Sequence, residues 1–132
     1  MKTFSLEIVT PDRQFYVGPA EAMDLPILDG QYGVMPGHEP VVTAVEPGEL
    51  RFRVDGVWQD AAVSSGFAEI MPDYAILLVS SAERPEEIDL KRAEAAKVRA
   101  EERLRQKESL QQYHSSKAAL ARAMARLKTA RK

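Results

Sequence analysis

Polar and apolar positions alternate along the first two thirds of the chain and then change period. In TFSLEIV, Phe4, Leu6 and Ile8 fall on one face and Ser5 and Glu7 on the other. That two-residue repeat predicts a half-buried strand. RFRVDGVWQDAAV repeats the alternation on both sides of Asp55-Gly56. This pair is favoured in two-residue hairpin turns because both central positions need positive φ. GFAEIMPDYAILLVS predicts two more strands around a Pro72-Asp73 turn. Short strands with frequent turn signals point to an antiparallel β-sandwich over residues 1–84.

From Pro85 onward the period is helical. Residues 85–132 are rich in Ala, Leu, Glu, Lys and Arg, and every Gly and Pro lies at or before Pro85. Ile88-Asp89 reads as N′ and N-cap of a first helix, with the Asp89 carboxylate accepting from the first free amides. Leu90, Ala93, Ala100 and Leu104 form one apolar stripe, and Leu120, Ala123, Met124 and Leu127 form another. KESLQQYHSSK between them is expected to be a polar connection, which makes an antiparallel two-helix hairpin. The fold class is therefore β + α, a sandwich followed by a hairpin. Alanine-heavy stripes bury little apolar surface, so closure of the hairpin should be weak.

Charge separates the same two segments. Residues 1–84 carry 5 basic and 13 acidic side chains, and residues 85–132 carry 13 basic and 7 acidic. The overall −2 thus averages an acidic sandwich and a basic hairpin. Residues 109–132 hold Lys117, Arg122, Arg126, Lys128, Arg131 and Lys132 and no acid, which points to an anionic partner. Within EIDLKRAEAAKVRA, the residues Asp89, Arg92, Ala96 and Arg99 share one helical stripe, a composition poorly suited to a core. In a solvated reading, Arg92 and Arg99 would pair with Glu94, Glu101 or Glu102 on neighbouring turns.

Several chemistries lack their residues. There is no cysteine, hence no disulfide framework or thiol chemistry, as fits a reducing compartment. MKTFSLEIVT lacks the apolar run of a signal peptide, and no window reaches membrane-spanning length. His38, in a Pro-Gly-His-x-Pro turn, is expected to be structural, and His114 stands alone in polar surroundings, so no metal-ligand cluster is expected. No GxxxxGK[ST] loop is present to support ATP hydrolysis, and no convergent acid–base set supports a free-standing enzyme. The basic tail admits a nucleic-acid binder, but the acidic sandwich would repel a phosphate backbone, and Tyr113 is the lone aromatic after Pro85.

Three segments together carry a family resemblance. YGVMPGHEPVVTAVEPG (residues 32–48), SSGFAEIMPDYAILLVSSAE (64–83) and IDLKRA (88–93) resemble, in order, segments of the ε subunits of F-type ATP synthases. The last is similar to that family's nucleotide-binding motif, and the likeness spans essentially the whole chain. It implies a non-catalytic rotor subunit of a proton-translocating synthase, on the cytoplasmic face of the bacterial cell membrane and peripheral to it. The sandwich, residues 1–84, would bind the central-stalk γ subunit and the c-ring. Residues 85–132 would regulate: extended along γ, the hairpin would meet the catalytic β (and α) subunits and block ATP hydrolysis. The resemblance makes Lys117, Arg122, Arg126 and Lys128 the inhibitory contacts. ATP, with or without Mg2+, would hold the hairpin folded through Glu83, Ile88, Asp89, Arg92, Ala93, Arg99, Arg122 and Arg126. The four arginines would pair with phosphate oxygens in fork geometry. The isolated protein is expected to be a monomer, without nucleic-acid partners and touching the membrane only through its assembly.

Overall fold

The fold was taken from a computed structural model that describes residues 2–106 and 110–131, without the side chains of residues 106–113. Among the described residues, ten strands precede two helices: β1 Phe4–Val9, β2 Gln14–Ala20, β3 Ala22–Ile27, β4 Gly30–Val34, β5 Val41–Val45, β6 Gly48–Val54, β7 Val57–Val63, β8 Gly66–Ile70, β9 Tyr74–Val79 and β10 Ala82–Glu83. They form two five-stranded sheets, in the orders β2-β1-β9-β8-β5 and β10-β7-β6-β3-β4. Phe4, Leu6 and Ile8 point inward as their alternation requires, and pack with Met23, Leu25, Leu50, Phe52, Ile70 and Leu77 in the core between the sheets. The β6–β7 turn falls on Asp55-Gly56, with φ of 51° and 76°. One pairing departs from the antiparallel pattern: β1 runs parallel to β9, with Ile8 opposite Leu77. Alternation within either strand carries no information about that neighbour.

Gly66 shows how closely β8 and β9 approach. A Cβ there would lie 1.9 Å from the carbonyl oxygen of Leu78, so only glycine fits. His38 is held within its turn, its Nε2 2.7 Å from the Tyr32 hydroxyl and its Nδ1 against the carbonyl of Glu39, the structural role expected of it.

A 3₁₀ turn, Pro85–Glu87, leads from β10 to helix α1, Leu90–Gln106; α2 spans Leu110–Ala130. Asp89 is the N-cap of α1, its Oδ1 accepting from the Arg92 amide at 3.2 Å. Helix α2 starts earlier than the sequence pattern suggests. Residues 110–117, expected to belong to a polar connection, are helical. Nothing there breaks a helix: the segment has neither Gly nor Pro, and Leu, Gln and Lys are good helix formers. Residues 107–109 of that connection lie outside the described residues.

The expected apolar stripes are only half right. Ala93, Ala100, Ala123 and Leu127 are buried, whereas Leu90 and Met124 are 42% and 51% exposed. Arg131 at the end of α2 pairs with Glu94 at 2.8 Å. Leu90, a turn earlier on α1, therefore projects past the end of its partner helix. Helix α2 packs on both α1 and strands β6 and β7. Its buried surface is accordingly wider than one stripe and takes in Ser116, Ala125 and Thr129 rather than Met124.

Candidate functional site

The junction between sandwich and hairpin opens into a cavity of about 340 Å3. That volume is at the low end of the range for small-ligand sites. Of the residues singled out as ATP-contacting, Glu83, Asp89, Arg92, Ala93, Arg99 and Arg126 line it. Ile88 and Arg122 do not, although Ile88 directly precedes the cap and Arg122 is one turn before Arg126 on α2. The Asp89–Arg92–Ala96–Arg99 stripe faces the cavity as a unit, with Ala95 at its side. Glu87 also lines it and was missed by sequence reasoning, because nothing in PEE distinguishes one glutamate from the other.

Four elements supply these side chains: β10, the 3₁₀ turn, α1 with its cap, and α2. Glu83 comes from β10, paired across the sheet with Ala62 of β7. Glu87 closes the 3₁₀ turn, where its Oε1 accepts from the Arg84 amide at 2.8 Å. Arg13 lies against the same carboxylate, its Nη1 2.9 Å from Oε2. These two contacts, the Arg13 bond first, hold the Glu87 carboxyl below the usual carboxylate range.

Across the cavity, Arg126 of α2 donates from Nε to Glu83 Oε1 at 2.6 Å. Residues 109–132 hold no acid, so this partner reaches Arg126 from the sandwich. Arg92 and Arg99 behave differently. Both are exposed, and among the described residues neither guanidinium meets a carboxylate. Glu94, a candidate partner in the solvated reading, is taken by Arg131 instead. The cavity thus combines two cations that pair with no carboxylate among the described residues, a third already engaged, and buried Ala93 as a small apolar floor. Chemically it suits a ligand with an anionic end for the arginines and a flat or apolar end beside Ala93.

The residues expected to make inhibitory contacts lie along α2. Lys117 and Lys128 are exposed and Arg122 is half-buried, and among the described residues none of the three forms an ion pair. Among the described residues no cluster of His, Cys, Asp and Glu could hold a metal ion, and no helix is long and apolar enough to cross a membrane.

A second surface stands out on the sandwich. Val42, Phe67, Leu78 and Val17 are 75%, 63%, 56% and 59% exposed. Register puts Phe67 of β8 opposite Leu78 of β9, and Leu78 opposite Val9 of β1. Phe67, Leu78 and Val9 thus make an apolar row across the outer face of the β2-β1-β9-β8-β5 sheet, the kind of patch that marks a protein contact, whereas Val42 lies opposite Glu69 and Val17 opposite Glu7.

A ten-stranded sandwich followed by a helical pair, with an arginine-lined cavity at their junction, describes a particular class of chain. The description "ATP synthase, Delta/Epsilon chain, beta-sandwich domain" matches residues 3–85, and "ATP synthase, Delta/Epsilon chain, long alpha-helix domain" matches residues 86–131. The chain belongs to the ATP synthase delta/epsilon family. Among its relatives is the ATP synthase epsilon chain of Ruminiclostridium cellulolyticum, 54% identical over 127 residues that cover 96% of this chain and 95% of the relative. The ATP synthase epsilon chain of Caldanaerobacter subterraneus is 48% identical, with 99% and 96% covered. A chain of the Euglena gracilis mitochondrial ATP synthase shares the fold, with a TM-score of 0.84 at 23% identity, covering 98% of this chain and 82% of that one. A chain of the Tetrahymena thermophila mitochondrial ATP synthase central stalk and c-ring gives a TM-score of 0.66 at 14% identity, covering 98% and 97%.

Proposed function

We infer that this chain is a rotor subunit in the central stalk of a proton-translocating F-type ATP synthase. In this reading it has no catalysis of its own. The sandwich couples c-ring rotation to the catalytic head, and the hairpin governs ATP hydrolysis. The apolar row of Phe67, Leu78 and Val9 is the surface best suited to the γ subunit. The assembly holds the chain at the cytoplasmic face of the bacterial membrane without its entering the lipid.

ATP is the regulatory ligand in this reading, with or without Mg2+. Arg92, Arg99 and Arg126 take the phosphates, Arg122 assists from the next turn of α2, and Asp89 and Glu83 accept from the base or ribose or orient the arginines. The base rests at Ala93, with Ile88 beside it. Bound only to the docked hairpin, ATP at 100 times its dissociation constant would stabilise that state by about 2.7 kcal/mol. That is enough to reverse a weak preference for the open state, because the ligand distinguishes the two. Released, the hairpin extends along γ and presents Lys117, Arg122, Arg126 and Lys128 to acidic surfaces of the catalytic β and α subunits.

The observation that carries this reading is the pair of exposed arginines, Arg92 and Arg99, that meet no carboxylate among the described residues and face one cavity beside the Asp89 cap. Calorimetric titration with ATP tests it: the wild-type chain binds, and Asp89→Ala with Arg92→Ala does not, while the sandwich stays folded. Unchanged affinity in the double variant would remove the site. In the assembled enzyme, replacing Lys117, Arg122, Arg126 and Lys128 by glutamine should relieve inhibition of hydrolysis; undiminished latency would assign inhibition elsewhere.

A further inference from the structure

The segment leading into the hairpin is fastened to the sandwich by a residue far from it in sequence. Arg13, immediately before β2, holds Glu87 with both terminal nitrogens, Nη1 to Oε2 at 2.9 Å and Nη2 to Oε1 at 3.1 Å. The same Nη2 donates to the Ala82 carbonyl of β10 at 2.9 Å. One guanidinium therefore grips both ends of the segment 82–87. Arg84 completes the fastening, donating to Gln59 Oε1 at 3.2 Å and to the Phe15 carbonyl at 3.4 Å. Both guanidinium groups lie over the buried Phe15 ring, at 5.2 Å and 4.7 Å from its centre.

Beyond Glu87 the fastening stops. Ile88 is extended, with φ −86° and ψ 126°, and is the single residue between the 3₁₀ turn and the Asp89 cap of α1. Downstream, the polar ties to the sandwich come from α2: Arg126 to Glu83, and Thr129 to Glu49 at 3.5 Å.

We propose that Arg13 is a positioning residue that keeps residues 82–87 on the sandwich, so that the hairpin pivots at Ile88–Asp89 and divides the ligand cavity each time it opens. This rests on the reading of the hairpin as a moving element. Glu83 and Glu87 stay with the sandwich, whereas Arg92, Arg99, Arg122 and Arg126 leave on the helices. Opening therefore parts the four arginines from Glu83 and Glu87. Asp89 stays at the pivot as the cap of α1, so the helices beyond it carry the arginines toward an acidic partner while the two glutamates remain on the sandwich. A pivot upstream of Glu83 would instead carry Glu83 along and leave Arg126 neutralised.

The test uses spin labels on the full chain at exposed positions Thr3, Glu86 and Lys128, introduced as cysteines into a sequence that has none. The Arg126→Glu substitution opposes Glu83 and drives the hairpin open without nucleotide. Helix α1 has 17 residues and so is about 25 Å long, and swinging it moves its far end by tens of ångströms. The expected result is a longer 3–128 distance with a 3–86 distance that stays short and narrow. Adding Arg13→Ala should broaden the 3–86 distance, and Arg13→Lys, which keeps the charge but not the fork, should narrow it only in part. Movement of 3–86 together with 3–128 while Arg13 is intact would overturn the proposal, as would a 3–86 distance indifferent to Arg13→Ala. A 3–128 distance that never changes would overturn the pivot and the moving-hairpin reading together, which marks it apart from the first two failures.

Discussion

Replacing Arg126 by alanine removes the 2.6 Å ion pair to Glu83, a polar tie between α2 and the sandwich. A hydrogen bond to a charged partner contributes about 1.5–3 kcal/mol when sheltered. Exposed pairs contribute about 0.2–1 kcal/mol. Here the side chains are 34% and 27% exposed, so screening by water is substantial but incomplete. About 1 kcal/mol is the resulting estimate for the docking equilibrium, which corresponds to roughly a fivefold larger open population. Hydrogen exchange reads such minor populations directly. Amides of α2 around Ala123–Thr129 should exchange about fivefold faster in Arg126→Ala, while those of β6 and β8 stay unchanged. Glu83→Gln should do nearly the same, and the double variant should exceed neither single one by much, because both remove one interaction. Fully additive effects would mean that the two side chains act through other partners. Unchanged α2 exchange in Arg126→Ala would mean that this pair does not hold the hairpin down.

Two further outcomes follow from the geometry of the sandwich and its junction. Gly66→Ala should lower the urea midpoint by an amount equivalent to roughly 3 kcal/mol, the upper end for overpacking, since its Cβ would meet Leu78 backbone at 1.9 Å. Gly33→Ala, whose Cβ would sit an ordinary 3.4 Å from Asp24, should cost far less, and equal shifts would contradict the argument. The Glu87 carboxyl lies below its ordinary value of 4.5, chiefly through Arg13, so its contribution is present above that pH and is lost as pH falls through the depressed value. Urea titrations of wild type and Glu87→Gln should therefore differ by about 0.5–1 kcal/mol near neutral pH, with the gap narrowing as pH falls below the ordinary carboxylate range. A gap that widens on acidification would reverse the assignment.

Much of this architecture was legible locally. The alternation of Phe4, Leu6 and Ile8 gives the buried face of β1. Asp55-Gly56 gives the turn between β6 and β7, and Asp89 announces its own cap. Each of these rests on neighbours within a few residues. What the sequence does not disclose depends on partners far along the chain. The parallel pairing of β1 with β9 joins residues some seventy apart. Arg13 and Glu87 meet across a separation of 74, and Glu83 and Arg126 across 43. The exposure of Met124 depends on α2 serving two neighbours at once, which a search for one stripe per helix overlooks. At the cavity, spacing alone put Asp89, Arg92, Ala96 and Arg99 on one face, whereas the acids opposite them come from a strand and a turn with no periodic signature.

The buried contacts of the helical pair include Ala93, Ala100 and Ala123, side chains that end at a single methyl group. Such a seam is comparatively smooth: Leu127 and Thr129 are branched side chains buried on α2, but the alanines demand no particular rotamer on closing. The cohesion left over sits at the rims, in ionic contacts whose strength varies with salt, pH and dissolved anions. A joint built this way behaves less like a weld than like a press-stud, quick to release and quick to reseat, with the composition of the surrounding fluid deciding how often it does either.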